Sequence, residues 1–275
     1  MKVGEALASS GLPAAEARLL LAHATGLSRT TLIAHPEREL PESAVCDFAA
    51  VAARRKAGEP VAYLLGEREF YGLALSVGPS VLIPRPETEL LVDMALERIV
   101  PGAATRVLDL GTGSGAVALA IKRQRPDATV CAVEASAAAL EVARANATRL
   151  GFAIEFIEGR WFEPLAARRF ELIVGNPPYV AQGDPHLAEG DVRFEPREAL
   201  VAGADGLVAI REIASAAPAH LDPGGWIFLE HGIGQDAAVR ALFAEAGLDS
   251  ARSWPDLAGI ARVTGARLTN LGGTS

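Results

Sequence analysis

The chain has 275 residues, half of them hydrophobic and 22% charged, which suits one large domain or two smaller ones with ample apolar content for a core. Its 34 acidic and 26 basic side chains leave a net charge of −8, not the basic balance of a general nucleic-acid binder. Cys46 and Cys131 fit no metal or disulfide spacing, no apolar stretch follows Lys2 as in a signal peptide, and no run approaches the ~18 apolar residues of a membrane span, so a reducing, cytoplasmic setting is expected.

The first part reads as helical. "PAAEARLLLAHATG" (Pro13–Gly26) opens with proline and closes with glycine, as helices do, and "PESAVCDFAAVAARRKAG" (Pro41–Gly58) repeats the arrangement. No strand pattern precedes about Tyr63. From Gly66 to Glu89, short apolar runs broken by glycine and proline predict a hairpin or extended connector.

From Thr105 onward strand-like and helix-like segments alternate. "RVLDL" leads to a helix from Ser114 to about Gln124, and "TVCAVE" to a helix from Ala137 to Leu150. "IEFIEG" and "FELIVG" are further strands. A helix near Leu207–Ala219 precedes "GWIFLEHG", a helix spans Gln235–Ala246, and "RVTGARL" reads as a closing antiparallel edge strand. Near-continuous Val, Ile and Leu strands belong to a sheet covered on both faces, so the fold class is α/β, a doubly wound sheet that binds ligands beyond the carboxyl ends of its strands. The expected organisation is a helical N-terminal domain (1–62), a hairpin or linker (63–83) and the α/β domain (84–275), with "GGTS" as a small-residue end.

"VLDLGTGSGAVALA" is a strand, a glycine-rich turn and a helix, in which Gly111, Gly113 and Gly115 let the backbone bend and approach a ligand. A tight strand-to-helix turn with no ligand is the plainer reading. Glu134 ends the next strand, where an acidic side chain can accept hydrogen bonds from both hydroxyls of a ribose. The spacing is neither G-x-G-x-x-G nor a P-loop, which argues against a dinucleotide and against ATP or GTP. The turn, with Asp109 two residues before it, resembles the cofactor loop of class I methyltransferases. That resemblance implies S-adenosylmethionine as cofactor (S-adenosylhomocysteine as product), with Asp109, Gly111, Thr112, Gly113, Ser114 and Gly115 at its amino-acid end and Glu134 at its ribose. Many relatives carry aspartate where this chain has Glu134. Trp161 could cover an adenine face with Arg160 beside it, or pack into the domain interior.

"FELIVGNPPYVA" runs a core strand straight into Asn176-Pro177-Pro178-Tyr179. Two prolines donate no backbone hydrogen bonds, so the sheet ends in a stiff corner. Methyltransferases with this corner act on nitrogens whose lone pair is delocalised, such as a base amine or a glutamine amide. The Asn176 side-chain oxygen and the Pro177 carbonyl can accept the two hydrogens of such a nitrogen, Pro178 stiffens the turn, and Tyr179 can pack on the planar group. Alignment, rather than a strong base, is then the main demand, and transfer would be direct, without a covalent enzyme intermediate.

"FYGLALSVGPSVLIPRPETELLV", "VLDLGTGSGA", "NPPYV", "DPHLAEGDVRFEPREALVAGADGL" and "LEHG" together resemble the protein-(glutamine-N5) methyltransferases that act on peptide chain release factors. The resemblance spans most of the chain from about Ala62. It implies methylation of the glutamine in the Gly-Gly-Gln loop of a release factor, with the helical region docking that protein; from the composition and spacing no metal and no direct nucleic-acid or membrane partner are expected, and a monomer is expected. A sister enzyme acting on a ribosomal protein glutamine shares the layout. A nucleic-acid adenine methyltransferase shares the corner, and a non-catalytic cofactor-binding module would keep the fold. Arg85, Glu87 and Thr88 could shape the pocket, or Pro84 and Pro86 simply stiffen the linker. Phe70 and Tyr71 precede the catalytic domain, Arg193 and Glu195 are expected to pair, and His186 and His231 are read as structural.

Overall fold

A computed structural model describes residues 1–269; "GGTS" and the last six residues of the expected 84–275 domain lie outside the described residues. The described chain divides into two units, Met1–Glu67 with His186–Phe194, and Arg68–Pro185 with the chain from Glu195 onward.

The first unit is helical: α1 (Val3–Ser9), α2 (Ala14–Thr25), α3 (Arg29–Ala34), α4 (Glu42–Lys56) and α5 (Val61–Leu65). Prolines precede α2, α4 and α5, where a missing N–H costs nothing, and the Ser28 hydroxyl caps α3 by accepting from Thr31 N. Leu20, Leu21, Leu32, Phe48 and Leu64 form the apolar centre. The short helices α1, α3 and α5 are too brief for a periodic signal, which is why only α2 and α4 are legible in the sequence. Arg55 ties this unit together: its guanidinium donates to Glu16 at 2.7 Å and to Asp191, in the later segment, at 2.9 Å.

The second unit opens with a two-stranded hairpin, β1 (Glu67–Phe70) and β2 (Leu73–Ser76), followed by α6 (Glu89–Leu96). Then come β3 (Arg106–Leu110), α7 (Ala116–Gln124), β4 (Thr129–Glu134), α8 (Ala137–Leu150), β5 (Glu155–Glu158), β6 (Phe170–Gly175), α9 (Val208–His220), β7 (Leu221–Glu230), α10 (Asp236–Glu245), β8 (Asp249–Pro255) and β9 (Ala261–Arg267). The sheet order is β5-β4-β3-β6-β7-β9-β8. All pairings from β5 to β7 are parallel, and β9 is antiparallel to both of its neighbours.

Alternate residues of the central strands serve opposite faces. Val107, Leu172 and Val174 join one buried cluster, and Leu108, Leu110 and Ile173 the other. Full burial of each such side chain stabilises the fold by roughly 1.5–3 kcal/mol. One expectation is corrected: the antiparallel "RVTGARL" strand is interior, and β8 is the edge. Residues of β8 are mostly exposed, so they carry no apolar alternation, and Pro255 is tolerated at a sheet edge.

Candidate active site

β3 and β6 lie side by side while the chain runs outward from them in opposite directions, to β4 on one side and β7 on the other. Such a switch point leaves a crevice beyond the carboxyl ends of the strands. The register pairs Leu110 with Gly175, so the glycine turn that follows β3 and the proline corner that follows β6 start level with each other. A cavity of about 320 Å³ opens there, lined by Asp109 and Gly111 to Ser114 from the turn, by Glu134 and Trp161, and by Asn176 and Pro178 from the corner.

The turn is braced from beneath. The Asp109 side chain is buried, and its Oδ2 accepts from the Thr112 hydroxyl at 2.6 Å and from Ala118 N at 3.2 Å, tying the turn to the first turn of α7. Burial pushes the Asp109 carboxyl up to about 6, against these two hydrogen bonds, and the nearby Glu134 charge adds to the rise. The Glu134 carboxylate accepts from Gly113 N and from Ser136 N, one per oxygen, both at 2.9 Å. It therefore joins the turn to the start of α8, and each oxygen keeps a further lone pair for a ligand.

Two of the three glycines serve the protein's own packing. A Cβ on Gly115 would stand 3.0 Å from Leu119 Cδ1 and 3.3 Å from Ala143 Cβ, and this residue does not line the cavity. A Cβ on Gly111 would meet the Trp161 ring at 3.2 Å. Gly113, with φ of +56°, faces open space. The Trp161 indole thus lies against the turn while its backbone holds a left-handed φ of 47°, and its Nε1 donates to Glu212 Oε2 at 3.0 Å. Arg160 also pairs with Glu212 and stands over the indole. Trp161 is thus partly packed into the domain and also forms cavity wall.

At the corner, Asn176 Nδ2 donates to Thr88 Oγ1 at 3.2 Å. Pro177 is buried, and neither it nor Tyr179 lines the cavity wall. The Tyr179 hydroxyl donates to Glu230 Oε1 at 3.1 Å, and burial together with the Glu230 charge raises its pKa strongly, so it stays a donor. The segment beyond is pinned by strand-like pairing, Val180 N to Leu200 O at 2.8 Å and Ala202 N to Val180 O at 2.9 Å, while Gln235 Nε2 donates to Tyr179 O at 3.0 Å. Glu230 is a residue that sequence reasoning did not single out; the only signal was its place at the end of a core strand in "LEHG".

Among the flanking residues, Arg85 and Thr88 line the cavity. The expected Arg193–Glu195 pair does not form. The buried Glu195 carboxylate is paired with Arg85 and accepts from Ile83 N at 3.2 Å, whereas Arg193 donates to Ala57 O at 3.0 Å and lies over the Phe194 ring. Phe70 is core, and Tyr71 bonds Asp93 and Glu89 away from the cavity. His231 is fully buried between Gly232 O and the Thr264 hydroxyl, and burial lowers its pKa, which keeps it neutral; His186 lies on a short turn at the surface, outside the cavity. Among the described residues no cluster of three or more His, Cys, Asp or Glu could hold a metal ion, and no helix is long and apolar enough to cross a membrane. Asn146, unnoticed in the sequence, is buried and joins β2 to the turn by donating to Ser76 O and Ser114 O.

Comparison with known proteins gives matches to two family models, "PrmC N-terminal domain" over residues 2–66 and "Methyltransferase small domain" over residues 86–192. A release factor glutamine methyltransferase of Burkholderia pseudomallei is 53% identical, covering 96% of this chain and 95% of that protein. Its counterpart from Bordetella pertussis is 52% identical, over 95% and 97%. Among solved structures, a methyltransferase from Pyrococcus furiosus is similar with a TM-score of 0.56 at 18% identity, over 79% of this chain and 97% of that one. A 16S rRNA methyltransferase from T. thermophilus, in complex with AdoMet and guanosine, has a TM-score of 0.54 at 24% identity, over 74% and 49%. At these identities the two structures speak to the fold alone.

Proposed function

The chain belongs to the release factor glutamine methyltransferase family, and from that membership we propose that it transfers a methyl group from S-adenosylmethionine to the side-chain amide nitrogen (N5) of the glutamine in the Gly-Gly-Gln loop of peptide chain release factors. The observation that carries the reading is the meeting of a ligand-sized cavity and the Asn176 corner at one switch point of the sheet.

The residues present fit such a cofactor. Gly113 faces open space, Glu134 keeps two lone pairs, and the Trp161 indole forms a flat wall beside them. We assign Glu134 to the ribose hydroxyls, Trp161 to the adenine side and the turn from Asp109 to Ser114 to the amino-acid end. S-adenosylmethionine supplies a methyl carbon activated by its sulfonium. The chain's part is alignment. Asn176 donates with Nδ2 to Thr88, which leaves Oδ1 as an acceptor for one hydrogen of the substrate amide. The other is assigned to the Pro177 carbonyl, which lies in the corner between the wall residues Asn176 and Pro178 but outside the wall itself, so that the substrate amide must reach into the corner to meet it; together the two acceptors turn the nitrogen lone pair toward the methyl carbon. The diproline keeps that geometry stiff, and correct placement of reacting atoms is worth several kcal/mol, up to ~7–11 in well-aligned systems. The helical unit, Met1–Glu67 with His186–Phe194, is assigned to docking of the release factor. The enzyme is proposed to act as a cytoplasmic monomer without a metal ion.

The test is a methyl-transfer assay with labelled cofactor and purified release factor, either intact or with the loop glutamine replaced, and with DNA as a control. Label on the intact factor alone is expected. Label on DNA, or on the glutamine-free factor, would refute the assignment.

A further inference from the structure

Resting on the S-adenosylmethionine reading above, we propose that Arg85 is the counter-ion of the cofactor's methionine carboxylate, a binding role separate from that of the glycine turn.

The turn has few donors left for an anion. Gly111 N and Thr112 N both donate to Val133 O, at 2.9 and 3.1 Å, and Gly115 N donates to Thr112 O at 2.8 Å. Gly113 N donates to Glu134 at 2.9 Å, and the Thr112 hydroxyl to Asp109. The acidic side chains that line the cavity, Asp109, Glu134 and Glu198, are acceptors. Such surroundings suit the ammonium group of an amino acid and leave its carboxylate without a partner on that side. A carboxylate taken out of water needs donors, and a cation above all.

Among the described residues, two cationic side chains line the cavity, Arg85 and Arg160. Arg160 is paired with Glu212 and stands over the Trp161 indole, on the side assigned to adenine. Arg85 stands beside the corner: Thr88 N donates to Arg85 O at 3.1 Å, and Thr88 Oγ1 accepts from Asn176 Nδ2 at 3.2 Å. The reacting methyl carbon must come to Asn176. In S-adenosylmethionine the carboxylate lies only a few bonds from that carbon, on the other branch of the sulfur from the ribose, so it falls on the Arg85 side. The guanidinium is held in place there. It donates to Glu195 Oε1, and the fully buried Glu195 side chain also accepts from Ile83 N at 3.2 Å through Oε2. Arg85 keeps 29% of its own side chain exposed. A guanidinium carries five N–H groups in a rigid fork, so the edge not given to Glu195 can take a second carboxylate.

The test is calorimetric titration of wild type, Arg85→Gln and Arg85→Lys with S-adenosylhomocysteine and with its decarboxylated analogue, in which a hydrogen replaces the carboxylate. Wild type should bind S-adenosylhomocysteine about 10- to 100-fold more tightly than the analogue, the range for a hydrogen bond between charged groups. Arg85→Gln should lose that preference, binding S-adenosylhomocysteine more weakly by the same factor and the analogue as wild type does. Arg85→Lys keeps the charge but not the fork and should retain part of the preference. An equal loss for both ligands makes Arg85 a structural residue, and an undiminished preference in Arg85→Gln gives the carboxylate another partner; either result overturns the proposal. Removing Arg85 leaves the Glu195 charge buried and unpaired. Should that variant not fold, the double variant Arg85→Gln/Glu195→Gln removes both charges: loss of the preference is expected, and its retention overturns the proposal. If wild type binds neither ligand, the S-adenosylmethionine reading fails and the proposal with it. Wild type that binds both ligands equally well overturns the proposal alone.

Discussion

Gly113 and Gly115, two residues apart in one turn, are predicted to fail in different ways when each is changed to alanine. Both hold left-handed backbone, φ +56° and +85°, so each alanine carries a strain of roughly 1 kcal/mol. At Gly115 the new methyl also sits 3.0 Å from Leu119 Cδ1 and 3.3 Å from Ala143 Cβ, between α7 and α8. Leu119 can rotate away, but Ala143 is fixed on a helix, and forcing a methyl into packed surroundings costs a further ~1–3 kcal/mol. Gly115→Ala should thus lose about 2–4 kcal/mol, and Gly113→Ala about 1. At ~2–4 °C per kcal/mol for a chain of this size, thermal melts without cofactor separate them readily. Calorimetric titration with S-adenosylhomocysteine should then rank them in reverse. The Gly113 methyl enters the open space assigned to the cofactor and should weaken binding by at least about tenfold, or ~1.4 kcal/mol, while folded Gly115→Ala binds more nearly as wild type does. Wild-type affinity in Gly113→Ala would remove the cofactor from that side of the turn, and an unchanged melt for Gly115→Ala would refute the packing argument.

Glu134→Gln removes a charge and one acceptor from a side chain that already receives two backbone N–H groups. Cofactor affinity should fall by about 10- to 100-fold, at ~1.5–3 kcal/mol for a charged hydrogen bond, and the loss should shrink for an analogue lacking the ribose hydroxyls. Stability should depend on pH through Glu230. Its folded pKa is raised from 4.5 to about 7, so its contribution is fully present below the unfolded value and is lost as pH rises through 7. The loss is about 3 kcal/mol at ~1.4 kcal/mol per tenfold. Neutral, buried His231 works in the opposite sense, because its lowered pKa removes stability on acidification. The quantity to measure is therefore the difference between wild type and Glu230→Gln in urea unfolding: wild type should gain on the variant as pH falls from above 7 toward 5, and a constant difference would contradict the burial argument.

The sheet was legible because its central strands are nearly unbroken Val, Ile and Leu, and the glycine turn and the proline corner because glycine and proline leave marks that few other structures need. What escaped was of two kinds. Short elements such as α1, α3, α5 and the exposed edge β8 carry no period, and β8 displaced β9 from the edge it was expected to occupy. Contacts between distant segments left no local signal either. Glu195 chose Arg85 rather than the nearby Arg193, Asn176, Tyr179 and Glu230 converge because the parallel register of β6 and β7 brings their ends level, and Thr88 reaches Asn176 from the distant turn before α6.

The central claim, that the Asn176 corner holds a release factor glutamine for methylation, is tested most directly by mass spectrometry of the release factor after incubation with cofactor and either wild-type enzyme or Asn176→Ala. One added methyl group on the Gly-Gly-Gln glutamine with wild type, and none with an Asn176→Ala protein that still binds S-adenosylhomocysteine, is the predicted result. Full methylation by Asn176→Ala, or a methyl group found on another residue, would contradict it.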